Sequence, residues 1–255
     1  MSTAEMSASV AGRDWPVPVD APASFLSCPQ KLGVNEYEPH FGGRCNYAAE
    51  LENLDMLMLK VQRYLERIDE ANNTVVCIVG DHGEMLGDHS LLGKKVPWQA
   101  SISVPLVCFG PGIAKGIEYH GPVTTLDLGG TFMELAGTTA NEDMTTQSLR
   151  PLLTGGEPRR DYVMSGLDNW RLVVQQIDDV SYKLVCCKGP CSEPNSSPEA
   201  SLSLEEWNML LYDTQADRFD MHPIANKPEI VEELRTHLPA GWCPAATVSA
   251  NVDRR

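Results

Sequence analysis

The sequence predicts an α/β fold: a partial sheet with covering helices, followed by a small C-terminal α+β subdomain with antiparallel strands. Three observations carry that expectation. Apolar residues recurring at steps of three and four from Tyr47 to Ile68 lead directly into the β-branched run Thr74-Val75-Val76-Cys77-Ile78-Val79, the helix-then-buried-strand order of α/β domains. A second apolar run, Val104-Pro105-Leu106-Val107-Cys108-Phe109, is closed by Gly110-Pro111-Gly112, which are turn residues. Beyond Asp161 the runs Leu172-Val173-Val174, Tyr182-Lys183-Leu184-Val185 and Met209-Leu210-Leu211-Tyr212 are short and stand between turn-rich segments. That is how antiparallel strands read.

The chain has 255 residues, of which 42% are hydrophobic, enough to bury a core in one large domain or two smaller ones. Thirty-five acidic against twenty basic residues give a net charge of −15. Such a surface repels a polyphosphate backbone, so nucleic acid is not the expected partner. No apolar run approaches the ~20 residues of a membrane span. Met1 to Trp15 has neither the basic start nor the apolar core of a signal peptide.

Residues 1–40 hold Pro16, Pro18, Pro22, Pro29 and Pro39 with little periodicity, which predicts an extended entry segment. From Asn46, the positions Tyr47, Leu51, Leu54, Met58, Val61, Leu65 and Ile68 fall on one stripe of a helix that should cover a sheet face. Glu70 to Asn73 ends it. Residues 74–79 then read as a strand buried on both faces, and 104–109 as a second strand with Pro105 at its start. Thr125 to Ala136 is a helix with Leu128, Phe132 and Leu135 on one side and Gly137 as its stop. These elements make up a domain over 41–155. The antiparallel subdomain occupies 156–245, with Gly189 to Ser203 as a Pro/Ser-rich loop and a final helix opened by Pro228. The end after Trp242 reads as loose, and 246–255 is a tail.

Cysteine usage points two ways. Cys77 and Cys108 fall inside apolar runs, where cysteine serves as a small buried hydrophobe. Cys186, Cys187 and Cys191 cluster beside the Pro/Ser-rich stretch, which suits a disulfide or a metal clip. A zinc site is not expected, because no second Cys/His pair stands at ligand spacing.

The residues placed for chemistry lie where the first strand ends. In open α/β sheets ligands bind outside the carboxyl ends of the strands, and Asp81-His82-Gly83-Glu84 begins there. Two readings stand for the first pair: Asp81 caps a turn while His82 hydrogen-bonds in the loop, or the two are an oxygen and an imidazole ligand of a divalent cation. Lys94 is either a solvated lysine or an ammonium that holds an anionic ester oxygen beside that cation.

The stretch Asp81-His82-Gly83-Glu84-Met85-Leu86-Gly87-Asp88-His89-Ser90-Leu91-Leu92-Gly93-Lys94, with Val104-Pro105-Leu106 and Gly110-Pro111-Gly112, strongly resembles the sulfatase family of the alkaline phosphatase superfamily. Its pattern is nearest to the iduronate-2-sulfatase and choline-sulfatase branches. The resemblance runs back through Tyr47-Ala48-Ala49-Glu50 and forward through Thr125-Leu126-Asp127-Leu128 and Leu135-Ala136-Gly137 to Leu211-Tyr212-Asp213, Asp217 and the Pro228-Glu229 helix. It implies an alkaline-phosphatase-like sheet and hydrolysis of a sulfate ester substrate. It also implies that Asp81 and His82 are metal ligands, that the metal is divalent and usually Ca2+, and that Lys94 binds the sulfate group. His89 is then a catalytic candidate near the leaving group or an anchor of its loop, and Lys95 and Trp98 either line the substrate mouth or are a solvated and a packing residue.

One departure limits the expected activity. Sulfatases use a Cys or Ser converted to formylglycine within Cys/Ser-x-Pro-x-Arg, together with further metal-binding aspartates near the N-terminus, and this sequence shows neither. It reads as beginning in the middle of the family's catalytic domain, with an N-terminal half missing and the isolated chain inactive. Two confident strands in 41–155 also leave the edge of Val75 to Val79 bare, which another segment should pair. Two other functions fit the same residues: a non-catalytic binding or assembly protein on this scaffold, and a phosphodiester or phosphonate hydrolase of the superfamily.

Overall fold

The periodic stripe of the sequence becomes helix α1 (Phe41–Arg67), followed by a 3-10 turn at Ala71–Asn73 and strand β1 (Val76–Val79). A computed structural model describes residues 41–157, 160–189, 191 and 207–244. The entry segment 1–40, most of the Gly189 to Ser203 loop and the tail 246–255 lie outside those residues. The chain divides into two compact units, one of residues 1–76 with 86–92, the other of residues 77–85 with 93–255.

In the first unit α1 keeps much of its predicted stripe open, with Leu54, Val61 and Ile68 exposed. A tight turn stands at Asp88–Ser90, where the Gly87 N–H donates to the Leu91 carbonyl over 2.8 Å and His89 takes a φ of 51°. Arg44 reaches this turn, its Nε donating to the Leu86 carbonyl (2.8 Å) and its Nη2 lying 3.8 Å from Asp88 Oδ1.

In the second unit β1 pairs with β2 (Leu106–Phe109). Two expectations need correction here. β1 is half-buried along Val76 to Ile78 and exposed at Val79, not buried on both faces, because β2 is its only strand neighbour among the described residues. Cys77 and Cys108 are not small hydrophobes either: they form a disulfide between the two strands. Adjacent strands place facing side chains within bonding range, which apolar context alone does not reveal. Helix α2 (Gln99–Ile102) precedes β2, and α3 (Asp127–Leu135) and α4 (Arg150–Leu153) follow it. Asp127, fully buried at the start of α3, is held by Arg160 (Nε to Oδ2, 2.9 Å) and by the Gln147 N–H (2.8 Å to Oδ1).

The antiparallel sheet is ordered β3 (Tyr162–Leu167), β4 (Trp170–Ile177), β5 (Val180–Lys188) and β6 (Trp207–Asp213). Strand β3 was not singled out in the sequence. Its Met164-Ser165-Gly166-Leu167 segment is exposed, so an edge strand shows no buried face to read. Asp178 and Asp179, both with positive φ, form the two-residue β4–β5 turn that matches the twist of a hairpin. One face of β5 packs Leu184 and Cys186 with Val173, Leu211 and, from helix α5 (Pro228–Arg235) and the turn after it, Leu234 and Leu238. The opposite face carries Lys183, whose cross-strand neighbours are Val174 and Tyr212, and is covered by Pro97 to Gln99. Ser181 to Cys187 are therefore all buried. The expectation of a loose end directly after Trp242 needs correction, since Cys243 is fully buried and bonded to Cys186. A third disulfide joins Cys187 to Cys191, which resolves that cluster in favour of disulfides over a metal clip.

Candidate active site

Asp81 follows directly from the end of β1, and a network of backbone bonds fixes the turn it opens. The Gly80 N–H donates to the Pro105 carbonyl (3.2 Å) and the Gly83 N–H to the Ser101 carbonyl in α2 (2.8 Å). Gly83 is required at that place: a Cβ there would lie 1.9 Å from the Ala100 carbonyl oxygen, far inside contact distance. The loop that follows is tied at its base. Met85 N–H donates to the Gly93 carbonyl (2.7 Å), and the Gly93 N–H returns a bond to the Glu84 carboxylate. Gly93 has a φ of 81°, a conformation glycine adopts without strain. The base closure brings Lys94 back toward the start of the turn.

Asp81 and His82 face the same solvent-open point, with side chains 89% and 45% exposed. The His82 N–H donates to Asp81 Oδ1 (2.9 Å), and Asp81 Oδ2 lies 3.6 Å from His82 Nε2. His82 Nδ1 is 2.9 Å from the Gly83 carbonyl. A carbonyl only accepts, so Nδ1 carries a proton, and in the neutral ring Nε2 keeps its lone pair. Two adjacent donors, one hard oxygen and one imidazole nitrogen, are thus aimed into the same space, and ligands of one cation bound at ~2.3–2.6 Å span a separation of this size. Among the described residues no group of three or more His, Cys, Asp or Glu side chains forms a metal cage.

Electrostatics tie Lys94 to that pair. The Asp81 carboxyl is held below the ordinary aspartate value, first by the His82 backbone N–H, then by the positive charge of the His82 ring when that ring is protonated, and last by the Lys94 ammonium. A depressed carboxyl keeps its charge as pH falls through the normal aspartate range, and its contribution to stability is lost only as pH drops through the lowered value. In Lys94→Met the Asp81 midpoint, read by carbon NMR of the carboxyl, should rise slightly, because Lys94 is the least of the influences that lower it. An unchanged midpoint would show that Lys94 does not act on this carboxylate.

The other expected residues divide. Lys95 is exposed with a φ of 79°. Trp98 is buried and meets Tyr212 edge-on at 6.2 Å between ring centres, so it packs and does not line a mouth. His89 belongs to the first unit with Asp88 and Arg44. Sequence reading passed over the supports of the Lys94 loop. Trp170 Nε1 donates to the Lys95 carbonyl over 2.9 Å. Lys183 Nζ donates to the Pro97 carbonyl (3.2 Å) and Gln99 Oε1 (3.4 Å), and Asp220 Oδ2 accepts the Gln99 N–H (2.6 Å). A signal for one of them was present: a lysine inside Tyr182-Lys183-Leu184-Val185 is costly to bury and needs a partner.

Residues 17–138 match the sulfatase family model. The chain is 30% identical to mouse arylsulfatase K over 138 residues, covering 54% of this chain and 24% of that relative. It is 32% identical to the choline-sulfatase of Rhizobium meliloti (strain 1021) over 144 residues, 55% of this chain and 28% of the relative. The chain therefore spans about a quarter of the length of these two relatives. Among solved structures, BT4656 in complex with its substrate D-glucosamine-2-N,6-O-disulfate superposes with a TM-score of 0.63 at 21% identity, over 77% of this chain and 40% of that one. The phosphonate monoester hydrolase of Silicibacter pomeroyi gives 0.59 at 22%, over 89% of this chain and 49% of that one.

The class is thereby defined: an α/β protein of the alkaline-phosphatase-like fold. Over residues 17–138 it carries the match to the sulfatase family model, and over a stretch of similar length it is similar to arylsulfatase K and choline-sulfatase.

Proposed function

We propose that this chain contributes part of the active site of a metal-dependent sulfate ester hydrolase. Asp81 and His82 would hold two positions of a divalent cation, calcium by analogy with the family, and Lys94 the sulfate group. The observation that carries the reading is the pair of converging donors, Asp81 Oδ2 and His82 Nε2 at 3.6 Å, with the Lys94 ammonium acting on the same carboxylate. A bound cation withdraws charge from an ester oxygen. Lys94 binds the anionic oxygens as a point charge on a flexible stem. The Gly83 carbonyl fixes the imidazole tautomer, so that Nε2 faces outward as a lone pair. His89, in its left-handed turn, serves as a loop anchor.

The formylglycine motif does not occur in this sequence, so the nucleophile and the remaining ligands would come from another polypeptide segment. Calorimetric titration with calcium is the direct test: the purified chain should bind the ion, and Asp81→Ala should lose at least ~10-fold in affinity, the worth of one charged ligand contact. Absence of binding, or equal binding by Asp81→Ala, rejects the metal assignment. The chain alone should turn over no aryl sulfate, and robust turnover abolished by Asp81→Ala would overturn the proposal that the site is incomplete.

A further inference from the structure

The most unusual group in the second unit is a lysine with no solvent contact. Lys183 and Asp220 form an ion pair whose side chains are both 0% exposed, on the sheet face opposite α5. Burying two charges costs more than their attraction returns unless further hydrogen bonds satisfy them. Those further bonds are informative because, apart from the bond between the pair, every hydrogen bond of the two charged side chains among the described residues ends on one short segment. Lys183 Nζ donates to the Pro97 carbonyl at 3.2 Å and to Gln99 Oε1 at 3.4 Å, and Asp220 Oδ2 accepts the Gln99 N–H at 2.6 Å. Tyr212 and Trp98 complete the packing around them, the Lys183 Nζ lying 5.5 Å from the Tyr212 ring centre.

That segment connects both parts of the candidate site. Pro97 lies three residues after Lys94, and the intervening Lys95 carbonyl is held by Trp170. Gln99 opens α2, which has no side-chain cap of its own, so the Asp220 carboxylate supplies an acceptor for its first N–H from another part of the chain. Two residues further along α2, the Ser101 carbonyl accepts the Gly83 N–H at 2.8 Å, directly behind Asp81 and His82.

We propose that the Lys183–Asp220 pair positions the candidate site, by anchoring α2 behind the Asp81-His82-Gly83 turn and fixing the chain that leaves Lys94. The C-terminal sheet is then more than a cover: it sets the relative placement of the two donors and the ammonium. Lys183 and Asp220 touch no substrate in this scheme and act through the backbone of residues 97–101. Burial holds the Lys183 ammonium below the ordinary lysine value, against the pull of Asp220. The proposal rests on the functional reading only in treating Asp81, His82 and Lys94 as one site.

The test replaces both charges with apolar residues of similar size, Lys183→Met with Asp220→Leu, which removes the bonds to residues 97–99 without leaving a lone buried charge. Backbone amide exchange is read residue by residue on the full chain. The Gln99 and Gly83 amides should exchange about tenfold faster, the equivalent of one charge-assisted hydrogen bond, while Leu184 and Val185 in β5 change by less than about threefold. Equal acceleration of all four amides, or of none, overturns the proposal. If the double variant does not fold, Asp220→Asn keeps an acceptor for the Gln99 N–H but weakens the hold on Lys183. It is read on the same amides, with the same selectivity expected and uniform or absent change decisive against it.

Calcium titration of the unmodified chain, set beside the exchange response of the variants, separates this inference from the functional one. A selective exchange response in a protein that binds no calcium leaves the positioning role standing and removes the metal site. Normal calcium binding with a uniform exchange response does the reverse.

Discussion

Replacing Lys183 alone by alanine should cost about 3–5 kcal/mol of folding stability, the penalty for breaking a buried pair from one side. Asp220 would keep its carboxylate at 0% exposure with, among the described residues, only the Gln99 N–H as a partner, and its Oδ1 has no hydrogen bond among them even in the intact protein. The folded state must then protonate the carboxyl or open the Pro97 to Gln99 segment to water. Removing both charges should cost much less, because a Met/Leu pair needs no counter-ion. Urea unfolding followed by tryptophan fluorescence suits this comparison, since Trp98 lies in the affected segment and Trp170 holds the Lys95 carbonyl just before it. A Lys183→Ala midpoint indistinguishable from that of the unmodified chain would mean the carboxylate is not isolated as described.

Loss of the Cys186–Cys243 disulfide should produce the second large effect. The two cysteines are 57 residues apart, both fully buried, and join β5 to the segment beyond α5. Closing a loop of that length in the unfolded chain corresponds to about 4 kcal/mol on the chain-entropy account. The Cys187–Cys191 bridge spans only 4 residues and should matter less. Cys186→Ala with Cys243→Ala should lower the unfolding midpoint accordingly and release the end of the chain, where Arg235 Nη1 donates to the Cys243 carbonyl at 3.1 Å. Folding of the unmodified chain should likewise be better under oxidising than reducing conditions. Native protein whose Cys186 and Cys243 are both alkylated without unfolding would contradict the pairing.

Much of the architecture was legible because it is written in local periodicity. The stripe from Tyr47 to Ile68 specified a helix whatever it packs against, and Val104 to Phe109 followed by Gly-Pro-Gly specified a strand with an end. Pro228 marked the first residue of the last helix, as its fixed φ and missing N–H favour. Edge strand β3 and the burial of β1 were misread for one reason: both depend on what lies alongside, and a run of residues carries no record of its neighbours. The same holds for Cys77 and Cys108, whose pairing depends on strand adjacency.

For the candidate site, the sequence by itself supplied the residue types: a carboxylate, an imidazole and an ammonium in one short stretch, within a pattern similar to that of the sulfatases. Tertiary structure alone decided their support. Gln99 and Asp220 are 121 residues apart, and Pro97 and Lys183 86 apart. Contacts at such separations arise when a sheet face meets a loop, where side-chain period and strand register jointly select the partner. A lysine among apolar residues told that a partner must exist, and only the fold, by stacking β5 against residues 97–99, could say which one.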